Sequence, residues 1–301
     1  MQGCGWDANY RSATVRGMED PRTIAGFTVL ARIGEGARSI LYAVHDPKSR
    51  QVWALKHVLR NTDKDQRFIE QCEREYAIGS KLDHPALRGM HKLLKHRKLL
   101  RVDGVSLLME FIDAASLDQQ LPRTYADAAD VFTQVGEALS HMHGKGYVHA
   151  DLKPTNILIT EQGQVKVIDL GQACPIGTVK KRIQGTPGYM APEQARREAI
   201  DEQTDIFNFG ATLYWVLVRE VIPTMMPPAH GDDTLLQKVD EANVEPPIPP
   251  HDRNKRVPKP LSDLVVDCVA FNRDDRPASM QEVLARLRTA MVQPSAPKAG
   301  S

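Results

Sequence analysis

Asp151, Lys153, Asn156 and Asp169 stand on short polar segments between apolar runs. The first three lie in Tyr147-Val148-His149-Ala150-Asp151-Leu152-Lys153-Pro154-Thr155-Asn156-Ile157-Leu158, the fourth in Val167-Ile168-Asp169-Leu170-Gly171. A carboxylate such as Asp151 can take or orient the proton of an attacking hydroxyl, and a lysine can neutralise charge on a transferring phosphoryl group. The amide oxygen of Asn156 and the carboxylate of Asp169 are hard donors of the kind Mg²⁺ prefers. A base, a cation and metal-binding oxygens are the parts that phosphoryl transfer needs. A lone Asp-x-Leu-Lys also suits a polar loop that caps helices. The second carboxylate, framed by Val165-Lys166-Val167-Ile168 and Gly171, argues against that simpler reading.

Upstream, Gly34-Glu35-Gly36-Ala37-Arg38-Ser39 lies between two expected strands. Glycines there let backbone N–H groups approach phosphates, although a Gly-x-Gly hairpin alone is more often a plain turn. Strand alternation in Val52-Trp53-Ala54-Leu55-Lys56-His57-Val58 puts Lys56 on one face with Ala54 and Val58. An edge-strand lysine in water is the bland alternative. Glu75, on the inward stripe of the next helix, offers a carboxylate that could hold Lys56.

These residues need a frame. Short β-type runs are expected at 27–33, 40–45 and 52–59, with further apolar runs near 90–94 and 105–112. A helix over 64–82 carries Phe68, Cys72, Glu75, Gly79 and Leu82 on one face. Beyond Ser116 the pattern turns helical: Val131, Val135, Leu139 and Met142 recur at helical spacing, and 205–218 is apolar nearly all round. Ser279 and Glu282 make a capping box ahead of Val283, Leu287 and Met291. Strands followed by helices indicate an α+β chain of two lobes.

Composition bounds the rest. The 301 residues are 42% hydrophobic and 26% charged with a formal net charge of +1, so no overall electrostatic case exists for nucleic acid or an anionic membrane. The apolar run from Ala211 to Val218 is too short to span a bilayer. Cys4, Cys72, Cys174 and Cys268 lack paired or metal-type spacing, which points to reduced thiols and a cytoplasmic location. The expected boundaries are a flexible leader over 1–23, a catalytic domain over 24–292 and a flexible tail over 293–301. Pro227 to Pro260 reads as surface loops around one short helix.

The catalytic-loop and metal-loop segments resemble those of the eukaryotic-type (Hanks-type) serine/threonine protein kinase catalytic domain, with loop lengths closer to bacterial relatives. The resemblance covers about residues 24 to 290. It implies a bilobal α+β fold: an antiparallel five-stranded N-lobe with one helix over 24–110, and a mainly helical C-lobe over 113–292. It implies ATP and Mg²⁺ as cofactors, Asp151 as catalytic base with Lys153, Lys56 and Glu75, and Asn156 and Asp169 as metal ligands. Ile33, Leu41, Ala54 and Leu158 would sandwich adenine, Gly34 and Gly36 would cradle phosphates, and Met109 would be the gatekeeper. Glu110 and Ile112 would bind adenine through their backbones. Gly185-Thr186-Pro187-Gly188-Tyr189-Met190-Ala191-Pro192-Glu193 is similar to the family's protein-substrate docking loop, with Glu193 and Arg276 as a buried ion pair and Asp205 as the aspartate under the catalytic loop.

Three departures stand out. Ala150 replaces the arginine that commonly binds an activation-segment phosphate, while Lys180-Lys181-Arg182 supplies positive charge, so phosphorylation there is not expected to be required. Gly79 falls one turn after Glu75, where relatives carry a large apolar residue; either neighbouring Met90, Met109 or Leu170 fills the gap, or an activating partner docks at this helix. Ser39 replaces the third glycine. Cys174 reads as an inert small residue, and the basic run Lys92 to Arg101 as a solvated turn between strands. A serine/threonine protein kinase is the reading these residues favour. A nucleotide-binding scaffold with the same fold and a small-molecule phosphotransferase are its rivals.

Overall fold

The computed structural model describes residues 20–36, 38–98, 101–223 and 245–292. Most of the expected leader, the tail, and residues 224–244 of the proline-rich region lie outside them. The described chain forms two compact units, residues 20–76 with 90–111, and residues 77–89 with 112–292.

The first unit is built on a fully antiparallel sheet in the order β1-β2-β3-β4-β6-β5. Its strands are β1 (Thr23–Ile24), β2 (Phe27–Gly36), β3 (Ser39–His45), β4 (Val52–Leu59), β5 (Met90–Lys98) and β6 (Arg101–Glu110). The sheet has six strands where five are expected. The sixth, β1, folds back on β2 through a two-residue turn, Ala25-Gly26, with both residues at positive φ (51° and 89°), the geometry that matches strand twist in tight hairpins. Ile24 is thereby buried against Tyr42, Val44, Leu55 and Leu108. The basic run is also a strand rather than a turn. Residues 90–98 pair along β6 down to Lys98↔Arg101, and Lys95 reaches Glu73 at 2.6 Å.

Alternation along β4 sorts its side chains between the two faces of the sheet. Ala54 and Val58 pack with Ile69, Cys72, Val105, Leu107 and Met109, while Leu55 joins the opposite cluster. On that opposite face His57 Nδ1 and His96 Nε2 lie 2.8 and 2.7 Å from the buried Ser106 hydroxyl. Burial and the neighbouring His96 push the His57 imidazole down to about 4, so it is neutral near pH 7. Helix α1 (Gln66–Gly79) follows a 3₁₀ turn, Asp63–Asp65, capped at Thr62. The expected helix over 64–82 is shorter at both ends. Gly79 is its final residue rather than an interior one, so the propensity penalty of a mid-helix glycine does not apply.

The second unit is mainly helical. Its helices are α2 (Tyr125–Gly144), α3 (Pro192–Arg196), α4 (Glu202–Val218), α5 (Pro250–Arg253), α6 (Lys259–Cys268) and α7 (Met280–Val292). Thr124 caps α2, and its hydroxyl accepts from Asp127 N at 3.0 Å. Asp201 caps α4, so that helix begins one turn earlier than its apolar run suggests, and Asp205 falls in its first turn. Aromatic rings pack at the centre of the unit: Phe132, Phe207 and Phe209 are fully buried, and the rings of Phe132 and Phe209 meet edge to face at 5.1 Å. A Cβ on Gly210 would sit 2.5 Å from Cys268 Cβ, so only glycine lets α4 approach α6 this closely.

Short strands hold the polar loops of this unit. Strands β7 (Ala115–Ser116), β9 (Ile157–Ile159) and β10 (Val165–Val167) form one small sheet. Strand β8 (Tyr147–Val148) pairs with β11 (Cys174–Pro175), and β12 (Thr178–Val179) with β13 (Ala199–Ile200). No helix among the described residues is long and apolar enough to cross a membrane.

Candidate active site

In the first unit, β2 and β3 pair to the end of the hairpin: Gly34 opposite Leu41, Gly36 opposite Ser39. A Cβ on Gly36 would lie 2.7 Å from Ser39 Oγ, so a side chain at 36 would make the serine that replaces a third glycine turn its hydroxyl aside. Arg38, at the turn, has its Nε 3.3 Å from Oδ1 of the buried Asp65. The other oxygen, Oδ2, accepts from Asn61 N, Thr62 N and Thr62 Oγ1. Sequence reasoning missed this tether. The available signal was the Thr62-x-x-Asp65 spacing of a capping box.

Lys56 Nζ donates to Glu75 Oε2 at 2.6 Å. Glu75 is 2% exposed, one turn beyond Cys72, whose thiol is pushed up to about 12 by burial and then by the Glu75 charge. Lys56 stands between Leu41 on β3 and Leu107 on β6. Ala54 and Met109 are buried in the same cluster, against which Ile33 and Leu41 pack while partly accessible. Glu110 ends β6, paired with Trp53. Of the expected nucleotide contacts, Ile112 and Leu158 belong to the second unit, Leu158 on β9.

The second unit brings Asp151, Lys153 and Thr186 together. Thr186 Oγ1 donates to Asp151 Oδ1 at 2.9 Å and accepts from Lys153 Nζ at 2.9 Å. Lys153 Nζ also lies 3.3 Å from Asp151 Oδ2. One carboxylate oxygen is thus held by a hydroxyl and the other by a cation, which fixes the direction in which the carboxylate points. Asn156 Nδ2 donates to the Asp151 carbonyl at 2.9 Å, and Ile168 N donates to Asn156 O at 2.9 Å. The Asn156 carbonyl thereby anchors the peptide ahead of Asp169. Asp169 is exposed at φ 64°, with its Oδ1 accepting from Gly171 N.

The donor set suits a hard cation. The Asn156 amide nitrogen is taken by Asp151 O, so Oδ1 is the end that would face a cation, and the Asp169 carboxylate would supply a second oxygen. Among the described residues no cluster of three or more His, Cys, Asp or Glu side chains could hold a metal. Two hard oxygens fit a divalent ion whose remaining positions are filled by water and phosphate, the habit of Mg²⁺.

Beneath this cluster, fully buried Asp205 accepts from His149 N at 2.9 Å and Ala150 N at 2.8 Å, and lies 2.9 Å from His143 Nε2. Burial alone would push its carboxyl up. The His143 hydrogen bond and charge, with His149 and the Ala150 amide, hold it below its ordinary value. Ala150 itself has φ 59°, a conformation that costs a Cβ-bearing residue roughly 1–2 kcal/mol. Its methyl packs with Val148, Cys174 and Ile200. Burial pushes the Cys174 thiol up, which fits the inert role expected of it.

The segment after Asp169 is held by backbone pairing: β11 to β8, β12 to β13, and Gly177 N to Ile200 O at 2.7 Å. Lys180 Nζ donates to Gln172 O at 2.7 Å. At its far end Glu193 forms the expected ion pair, with Arg276 at 2.9 and 3.1 Å. Sequence reasoning also missed Gln194, a buried amide that bonds to four backbone or side-chain groups. The local signal was its place three residues after Ala191 at the start of α3, where a glutamine reaches back to the N-cap N–H, but nothing local marks its contacts with residues 150, 184 and 208.

The protein kinase domain family model matches residues 27–286. A Streptomyces coelicolor protein named as a probable serine/threonine-protein kinase is 30% identical over 246 residues, covering 77% of this chain and 35% of the relative. The serine/threonine-protein kinase PknB of Mycobacterium tuberculosis is 29% identical over 85% of this chain and 41% of its own length. The serine/threonine-protein kinase pkn3 of Myxococcus xanthus is 31% identical over 89% and 50%. The chain therefore spans half or less of the length of these relatives.

Proposed function

This chain belongs to the protein kinase domain family, and on that premise we propose that it transfers the γ-phosphate of ATP to serine or threonine hydroxyls of protein substrates. The observation that carries the reading is the Asp151–Thr186–Lys153 cluster. Asp151 takes or orients the proton of the incoming hydroxyl, and Lys153 neutralises charge on the phosphoryl group in flight. Lys56, fixed by Glu75, steadies the nucleotide's phosphates beside the Gly34 and Gly36 backbone. A Mg²⁺ ion at Asn156 and Asp169 would neutralise phosphate charge. Gly185 to Glu193 is the docking loop in this reading, supported by the anchor that Glu193 makes with Arg276. The closed Lys56–Glu75 pair and the terminal position of Gly79 favour activity without a partner on α1. Unpaired, buried Cys72, Cys174 and Cys268 fit a cytoplasmic setting.

The test is label transfer from ATP with Mg²⁺, to the protein itself and to a generic basic protein, with EDTA as control. Label on serine or threonine that EDTA abolishes is the expected result. No transfer, with Mg-ATP still raising the melting temperature, would instead identify a nucleotide-binding scaffold. Transfer to metabolites alone would identify a small-molecule phosphotransferase.

Activation-segment phosphorylation is not needed in this reading. Between Asp169 and Glu193 the hydroxyl side chains are Thr178, Thr186 and Tyr189. The Thr186 hydroxyl is engaged at Asp151, and Thr178 Oγ1 donates to Pro175 O at 2.6 Å. Phosphatase-treated protein and a Thr178→Val variant are expected to keep transfer rates within about twofold of the untreated chain, because no phosphate-dependent ion pair has to form. Loss of turnover after phosphatase treatment would overturn this.

A further inference from the structure

The chemistry proposed above accounts for Asp151 but not for the peptide that carries it. Ala150 holds a left-handed conformation immediately before Asp151, and both of its backbone polar groups are held from outside the loop. Its N–H donates to Asp205 Oδ1 at 2.8 Å, and its carbonyl accepts from Gln194 Nε2 at 2.8 Å. The first bond fixes the peptide plane before Ala150 and the second fixes the plane that leads into Asp151. With both planes fixed, the disfavoured conformation has no local route to relax.

Gln194 is 3% exposed and uses both ends of its amide. Nε2 also donates to Gln184 O at 3.3 Å. Oε1 accepts from Ala191 N at 3.0 Å and from Asn208 Nδ2 at 3.0 Å. Asn208 Nδ2 in turn donates to Tyr189 O at 2.6 Å. Residues 184, 189 and 191 bracket Thr186, the residue whose hydroxyl donates to Asp151. A single neutral amide therefore touches the backbone of the catalytic loop and both ends of the segment that delivers Thr186.

We infer that Gln194 is a positioning residue: its buried neutral amide ties the Ala150–Asp151 peptide to residues 184–191, so that the backbones carrying Asp151 and Thr186 are set as one unit. Its donor half holds the Ala150 and Gln184 carbonyls, and its acceptor half holds Ala191 N and Asn208. A split between kcat and KM, read beside local amide exchange, separates this role from a purely structural one. The inference rests on the kinase reading above.

The test compares Gln194→Met, which loses the donors and the acceptor together, with Gln194→Glu, which keeps the shape and the acceptor and keeps a donor only while its buried carboxyl stays protonated. Gln194→Met is expected to lower kcat at least about tenfold, because small displacements of a catalytic group are costly, with KM for ATP changed less than about twofold, and Gln194→Glu is expected to lose rate as pH rises and its carboxyl ionises. Amide exchange at residues 149–151 and 184–191 should quicken in both variants while the interiors of α2 and α4 stay protected. A folded Gln194→Met protein with kcat within about twofold of the parent, or with unchanged exchange at Ala150 and Asp151, would overturn the inference. Exchange needs no turnover. A parent protein that transfers no phosphate would sink the kinase reading, and the exchange data would still decide the role of Gln194.

Discussion

Asp151→Asn is expected to lower phosphate transfer by roughly 10²–10⁴-fold, the range that a positioned general base contributes. Asparagine keeps the shape of the side chain and can still accept the Thr186 hydroxyl through one atom. It cannot take a proton, and it removes the negative charge that faces Lys153 Nζ at 3.3 Å. Lys153 is then drawn to other anions, so both the base and the cation lose their settings. Asp151 and Lys153 remain partly accessible to solvent, where an ion pair adds little to stability. The melting temperature should therefore change little. KM for ATP should also hold, because no group that binds nucleotide in this reading is altered. Initial rates with labelled ATP, read beside a thermal melt, check the prediction. A folded variant that transfers at the parent rate would remove Asp151 from the chemistry.

The candidate catalytic residues are legible because their chemistry is written contiguously. Asp151, Lys153 and Asn156 share one loop, and Asp169 follows one small hairpin later. Lys56 was legible for a different reason, since alternation in β4 fixes its face whatever the tertiary context. Other features rest on contacts between distant residues. Strand β1 has only two residues, and its stability comes from the Ala25-Gly26 turn and the burial of Ile24. The charges of β5 mask a strand because its polar side chains face water and Glu73. Gly79 was misplaced because the helix start moved: the Thr62 cap and a 3₁₀ turn come before Gln66, and the helix stops at the glycine instead of running past it. Gln194 joins residues 150, 184, 191 and 208, a set that no local period connects. Backbone strain at Ala150 is equally silent in sequence, since alanine there looks like an ordinary small residue.

Arg276→Met is expected to destabilise the chain by roughly 3–5 kcal/mol, the usual result of removing one partner of a buried ion pair. For a domain of this size that corresponds to a fall in Tm of roughly 6–20 °C. The Arg276 side chain has no exposure, and besides Glu193 it donates to the carbonyls of Ala270, Gln203 and Phe271. Methionine fills much of the volume but leaves three carbonyls and one carboxylate without that donor. The Glu193 carboxylate keeps its own backbone N–H, Thr204 Oγ1 at 2.7 Å and Arg273 at 3.9 Å. In the parent, burial pushes the Glu193 carboxyl up, but the Arg276 hydrogen bonds and charge outweigh it and hold the group below its ordinary value. Its contribution to stability is therefore present above the unfolded carboxyl value and lost as pH falls through the lower folded one. Without Arg276 the burial effect prevails and the sign reverses: the folded state prefers a protonated Glu193, and stability is lost as pH rises through the raised value. The gap in Tm between parent and Arg276→Met should consequently narrow from about pH 8 to about pH 5. A double variant, Glu193→Leu with Arg276→Met, should recover part of the loss at the alkaline end, because no buried charge is left behind. A gap that is constant across this range, or a double variant less stable than Arg276→Met, would show that the arginine acts through packing and its carbonyl contacts instead.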